Sequence, residues 1–242
     1  MIGEGAGILL PNSILMASDT RAQIENTDDV NNEYRRKITM VTPTNILGIS
    51  GFESTFYASQ ILRRTLYNKD NKFTIYDKRD CILDLYKHVN LLHLARRDIP
   101  EPVGHILIGE LDCIQNKYTL LSNLAEDCFE EFTVHNEVRN VVLIGANTAV
   151  RESVRPKIQN ILDIINEQTL NHPNLHEYIA EECQKIFREQ AVHYNGINDK
   201  LYCVHLSTLE SKLSSAFYFL ESDGTLYNIE PQQDGAEIIF TK

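Results

Sequence analysis

Two stretches decide the fold: Gly5–Ala22, GAGILLPNSILMASDTRA, and Arg35–Gly51, RRKITMVTPTNILGISG. In the first, apolar runs over 5–10 and 13–18 flank the turn triplet Pro11-Asn12-Ser13, a pattern that predicts a β-hairpin. The second run stops at Asp19-Thr20-Arg21, where polar side chains take over. In the other stretch, Lys37 opens a run over 36–42. Thr42-Pro43-Thr44-Asn45 joins that run to one over 45–50, a second hairpin that contains Gly48 and ends at Gly51. Between the hairpins, residues 23–34 carry Asn26, Asp28, Asp29, Asn31 and Asn32 and read as a loop.

Beyond Gly51, Ser54 is placed to cap a helix running to about Asn68, in which Phe56, Tyr57, Ile61, Leu62 and Leu66 recur at helical spacing. A second helix is expected from Arg79 to Arg97, with Ile82, Leu83, Tyr86, Val89 and His93 along one face and Ile99-Pro100-Glu101-Pro102 as its stop. Strands are predicted at 103–109, 118–123, 130–135 and 138–144. A third helix follows from Thr148 to about Gln168, capped by Asn147 or Thr148, and a fourth from Pro173 to about His193. Strands at 201–206, 216–221 and 225–229 close the pattern. Strands that arrive mostly as hairpins predict antiparallel sheets, not alternating βαβ units. No Pro/Gly/Ser-rich linker divides the chain, so residues 1–242 are expected to form a single domain.

Composition narrows the function classes. A net charge of −11 argues against a nucleic-acid binder, which needs clustered cations. The groups Arg35-Arg36-Lys37, Arg63-Arg64 and Arg96-Arg97 read as solvated faces or helix ends. No apolar run approaches the ~20 residues that span a bilayer, and no basic leader with a small-residue cleavage site precedes the first strand, so neither a membrane anchor nor a signal peptide is expected. Ile2 is bulky, so Met1 is expected to be retained. Five scattered cysteines without a C-x-x-C read as reduced, mostly buried thiols of a cytoplasmic protein.

The order of Asp19, Arg21, Lys37 and Gly51 around two hairpins resembles the N-terminal part of proteasome-type β subunits, members of the N-terminal-nucleophile (Ntn) hydrolases. The resemblance is best over residues 5–66 and thinner from 103 to 206. It implies an α+β fold of four layers, an αββα sandwich with two face-to-face sheets each covered by a helix pair. It also implies a cytoplasmic, ring-forming oligomer of like or unlike subunits, with peptide as substrate and neither cofactor nor metal. By the same resemblance, Lys37 lowers the pKa of the nucleophile, Asp19 holds Lys37, Arg21 supports the site and the Gly51 N–H faces the oxyanion.

The nucleophile position falls on Gly3, and residues 1–12 contain no Ser, Thr or Cys. Ser13 lies in the hairpin turn on the far side of the first strand, on the order of 20–30 Å from Gly3 at ~3.3 Å per residue. Later segments depart from the family pattern as well. A Ser-Gly-Ser-like segment corresponds to Ile144-Gly145-Ala146-Asn147-Thr148, and an Asp-x-x-Ser-Gly-Gly segment corresponds to Tyr194–Asp199. The leading expectation is therefore a non-catalytic ring subunit or scaffold. The alternatives are an active threonine-type or other Ntn hydrolase with an unrecognised nucleophile, and a stand-alone binding module. Asp19 and Arg21 also admit a bland reading as a turn-stabilising pair. His172, His176 and His193, His88 and His93, the acidic residues Glu177, Glu181 and Glu182, and the thiols of Cys113 and Cys128 form no ligand or nucleophile pattern. Gly3-x-Gly5-x-Gly7 opens a strand and not a helix, so it is no phosphate loop.

Overall fold

The structure, a computed structural model, describes residues 4–24, 27, 29–96, 101–145, 147–165, 172, 174–209 and 212–229, the side chains of 70 and 71 excepted. The chain is α+β. Its first hairpin is β1 (Glu4–Leu10) and β2 (Ser13–Asp19), and its second is β5 (Ile38–Thr42) and β6 (Asn45–Gly51). The polar segment between them is not all loop, because Ala22–Gln23 (β3) and Val30–Asn32 (β4) pair as a small ribbon.

Helix α1 (Glu53–Leu66) starts after Phe52 without a side-chain cap, so Ser54 does not fill the role its position suggests. Helix α2 (Ile75–Leu94) begins four residues before the expected Arg79. Thr74 and Asp77 close a reciprocal capping box there, a Thr-x-x-Asp signal that the apolar periodicity alone passes over. Next come β7 (Gly104–Asp112), β8 (Lys117–Asn123), β9 (Thr133–His135) and β10 (Val141–Gly145). Helix α3 (Thr148–Ile164) is capped by Asn147, whose Oδ1 accepts from the Val150 N–H. Helix α4 (Leu175–Ala191) leads to β11 (Leu201–Leu209), β12 (Lys212–Leu220) and β13 (Leu226–Asn228). The expected ends of the second and third helices and the start of the fourth, at Arg97, Gln168 and Pro173, lie outside the described residues.

Both large sheets are antiparallel. One has the order β10-β1-β2-β11-β12-β13 and the other β5-β6-β7-β8-β9. Strand alternation sorts their side chains into three cores. Ala6, Ile8, Leu15, Ala17, Leu143 and Cys203 pack with Val154 and Ile158 of α3 and Ile179 and Phe187 of α4. Leu9, Met16, Ile144 and Val204 of the six-stranded sheet meet Ile38, Ile46, Leu107 and Leu120 of the five-stranded one. Leu47, Ile49, Ile106 and Leu121 pack with Phe56 and Leu62 of α1 and Ile82 and Tyr86 of α2.

The basic groups divide: Arg64 and Arg96 are exposed, as expected of solvated helix ends, and others depart from that expectation. Arg35, Lys37 and Arg63 are buried. Arg35 lies over the Phe56 ring and pairs with Glu53, while the Arg63 guanidinium donates to the Met40 carbonyl and lies over the Tyr67 ring. The thiols divide too. Cys183 and Cys203 are buried, Cys81 is partly so, and Cys113 and Cys128 are exposed.

Where β6 meets β7, Gly51 stands opposite Gly104 with φ of +130° and +145°. A Cβ on Gly104 would lie 2.1 Å from the Ser50 carbonyl oxygen, whereas one on Gly224, at φ +86°, would meet open space. Gly104→Ala should therefore cost more than about 3 kcal/mol, since clash adds to backbone strain. Gly224→Ala should cost only about 1 kcal/mol. Guanidinium unfolding of the two variants beside the parent checks the contrast.

Candidate functional site

The end of β2 gathers the residues singled out in the sequence. Asp19 is fully buried, and its carboxylate accepts four hydrogen bonds. The Lys37 Nζ donates to Oδ1 at 2.8 Å and to Oδ2 at 2.7 Å. The Glu4 N–H donates to Oδ1 at 2.7 Å and the Arg21 N–H to Oδ2 at 3.0 Å. One side chain thus ties together the start of β1, the turn after β2 and the entry to β5. Burial pushes the Asp19 carboxyl up and the Lys37 ammonium down, and the attraction between the two opposes both shifts.

Arg21 reaches this centre only through its backbone. Its guanidinium donates to Glu33 and to the Asn195 carbonyl, which secures the surrounding loops. Thr20 extends the junction. Its N–H donates to Asn198 Oδ1, its hydroxyl to the Glu33 carbonyl, and its own carbonyl accepts from the Arg35 N–H. Asn198 also donates to Glu33 Oε2 at 2.6 Å, so it anchors the loop before β11. Gly51 sits at the close crossing with Gly104, which is sufficient structural reason for a glycine there. Gly3 lies outside the described residues.

Three residues of this end escaped the sequence reading. Ser18, on β2, is buried and its hydroxyl has no hydrogen-bond partner. It lines a small void of about 10 Å³ together with Lys37, Gly5, Gly48 and Ile144. A space of that size holds about one water molecule and no peptide carbonyl. Glu4 is 1% exposed and neither carboxyl oxygen has a partner. Its pKa is pushed up to about 8, first by burial and then by the Asp19 charge, against the pull of Arg151 and Lys37. Arg151, from the first turn of α3, donates to the Gly145 carbonyl, to Glu126 and to the Thr148 hydroxyl. A glutamate at the head of an apolar strand, on the same side as Ala6 and Ile8, was the available signal for Glu4.

His105 stands beside this group. Burial and then the Arg151 charge push it down to about 4, and its Nδ1 accepts from the Ala125 N–H. The remaining histidines are elsewhere. His172, His176 and His205 line a cavity of about 320 Å³ at the opposite end of β2, where the His176 and His205 rings stack with centroids 4.0 Å apart. Among the described residues, no group of three or more His, Cys, Asp or Glu is placed to hold a metal ion, and no helix is long and apolar enough to cross a membrane. No family model matches this chain, and no curated protein matches it.

Two measurements test this site. Asp19→Asn leaves the Lys37 ammonium buried without its counter-charge and should cost about 3–5 kcal/mol. Adding Lys37→Met should cost clearly less than the sum of the single changes, which a double-mutant cycle from denaturant melts would read. For Glu4, the carboxyl is pushed up to about 8 in the fold, above its ordinary value of 4.5. Its contribution is therefore full below pH 4.5 and is lost as pH rises toward 8. Glu4→Gln should flatten this slope and raise stability by about 3 kcal/mol at pH 7, as melts at pH 5, 7 and 8 would show.

Proposed function

We propose that this chain is a proteasome-β-like subunit of the Ntn-hydrolase fold that acts as a non-catalytic member or scaffold of an oligomeric ring. The observation that carries the reading is the buried Asp19–Lys37 pair at the head of β1, joined to the Gly51 crossing by the second hairpin. The succession of three cores, α3 and α4 on one sheet, sheet on sheet, α1 and α2 on the other, supports the four-layer αββα arrangement.

Loss of chemistry is supported at the same place. Gly3 offers no hydroxyl or thiol. The acceptors of Asp19 are already taken by two amides and the lysine. What remains of the constellation holds strands together. Assembly is supported by the outer helices. Tyr57 and Ile61 of α1 and Leu91 and Leu92 of α2 stay exposed, and a cavity of about 480 Å³ lies between them. Ser18 favours the catalytic alternative, as a hydroxyl lining the same void as Lys37, but it is buried within β2, away from solvent.

Native mass spectrometry at micromolar concentration, with the chain alone and with subunits that co-purify with it, tests the ring. Multi-subunit species are expected, and a strictly monomeric chain under both conditions overturns the reading. In the same samples, an electrophile directed at N-terminal threonine should leave no adduct. A covalent adduct on Ser18 or within residues 1–3, accompanied by peptide cleavage, would establish the hydrolase reading instead.

A further inference from the structure

The Glu4 carboxyl takes no part in the ties that hold this end together. Pairing of β1 with β10 sets Glu4 opposite Gly145, just ahead of α3. The Gly145 carbonyl accepts from Arg151 of α3, which places that guanidinium on this side of β1. The charges that act on the Glu4 carboxyl are those of Asp19 on β2, Arg151 on α3 and Lys37 ahead of β5; Cys183 of α4 feels the Glu4 charge, and His105 of β7 feels that of Arg151. The two cations are not equally committed. Lys37 is gripped by both oxygens of a fully buried carboxylate. Arg151 donates to two neutral acceptors, the Gly145 carbonyl at 2.9 Å and the Thr148 hydroxyl at 3.2 Å, and it pairs at 3.2 Å with Glu126, whose side chain is 58% exposed, an ionic partner worth little against solvent.

We propose that Glu4 is a proton-operated latch at the α3 end of the molecule. With its proton it rests closed beneath α3. When it loses that proton to solvent, it draws the Arg151 guanidinium away from Glu126 and the Gly145 carbonyl and loosens the first turn of α3. The driving force is local charge. An ionised Glu4 sets a second carboxylate beside Asp19, and Lys37 is already occupied, so relief comes from Arg151. The cost falls on the contacts Arg151 abandons, because its bond to the Gly145 carbonyl links β10 to the start of α3. The position of Glu4, pushed up to about 8, puts the transition under mildly alkaline conditions. The inference does not depend on whether the chain forms a ring.

The test uses the full chain with ¹³C-labelled glutamate, followed by NMR from pH 6 to 9.5. Hydrogen exchange of the Val150 and Arg151 amides, both bonded to Asn147, is measured over the same range. Rates are normalised for hydroxide catalysis, and the Asp77 amide in the α2 capping box serves as reference. The Glu4 carboxyl carbon should titrate near pH 8. The normalised exchange of the α3 amides should rise about tenfold or more through that midpoint while the reference stays level. Glu4→Gln should abolish the rise. Glu126→Gln, a change at an exposed position, should lower the Glu4 midpoint by about half a unit or more by releasing Arg151. A Glu4 midpoint near the ordinary carboxylate value, level α3 exchange through the midpoint, a rise that survives in Glu4→Gln, or a midpoint unmoved in Glu126→Gln would each overturn the proposal. The wild-type titration and the Glu126 variant decide the matter independently of Glu4→Gln.

Discussion

A single carboxylate with every acceptor position filled holds the end of this molecule. Asp19 takes the Glu4 and Arg21 amides and both available contacts from Lys37. A buried charge of this kind is tolerable only because its partners are complete. The ladder between β1 and β2 already fixes their register, but β5 belongs to the other sheet, and Asp19 ties its entry to their end. Thr20 and Asn198 then bring in the segment before β11, so that chain regions almost 180 residues apart meet at one turn.

The same saturation bears on function. A carboxylate that orients a catalytic lysine and one that pins three strands make the same bond to that lysine. They differ in what surrounds the ammonium. Here the neighbourhood is a one-water void lined by Ser18, glycines and apolar side chains, and a buried neutral carboxyl on the helix side. These surroundings suit an internal tie between strands.

Much of the architecture was legible in the sequence. The two hairpins follow from alternating apolar runs around Pro11-Asn12 and Pro43-Thr44, and the Asn147 cap from its place before an apolar period. The Asp19–Lys37 contact was legible as well, because a lysine at the head of an apolar strand needs a counter-charge and Asp19 is the acid at the end of the neighbouring hairpin. Misreadings had physical causes. The start of α2 was placed late because Thr74 and Asp77 signal through hydrogen bonds and not through hydrophobicity. The β3–β4 ribbon hid among turn-forming residues. Arg35 and Arg63 looked like surface charge because local sequence does not reveal that an aromatic ring and a carbonyl wait across the fold. Glu4 and Arg151 were missed for the same reason, since their proximity depends on β10 returning beside β1.

The strand order of the larger sheet has a consequence for how the chain is made. β2 lies between β1, its immediate predecessor, and β11, which begins at Leu201. As the polypeptide leaves the ribosome, one side of β2 stays without its backbone partner until nearly the whole fold has been synthesised. During that interval the strand exposes the sequence Ser-Ile-Leu-Met-Ala-Ser, apolar through its middle and without a charge until Asp19 at its end. Such an unpaired edge is a template for pairing with another chain. Nascent chains stalled before residue 200 should thus depend on chaperones far more than the finished protein, in which Tyr202, Val204 and Leu206 seal the gap.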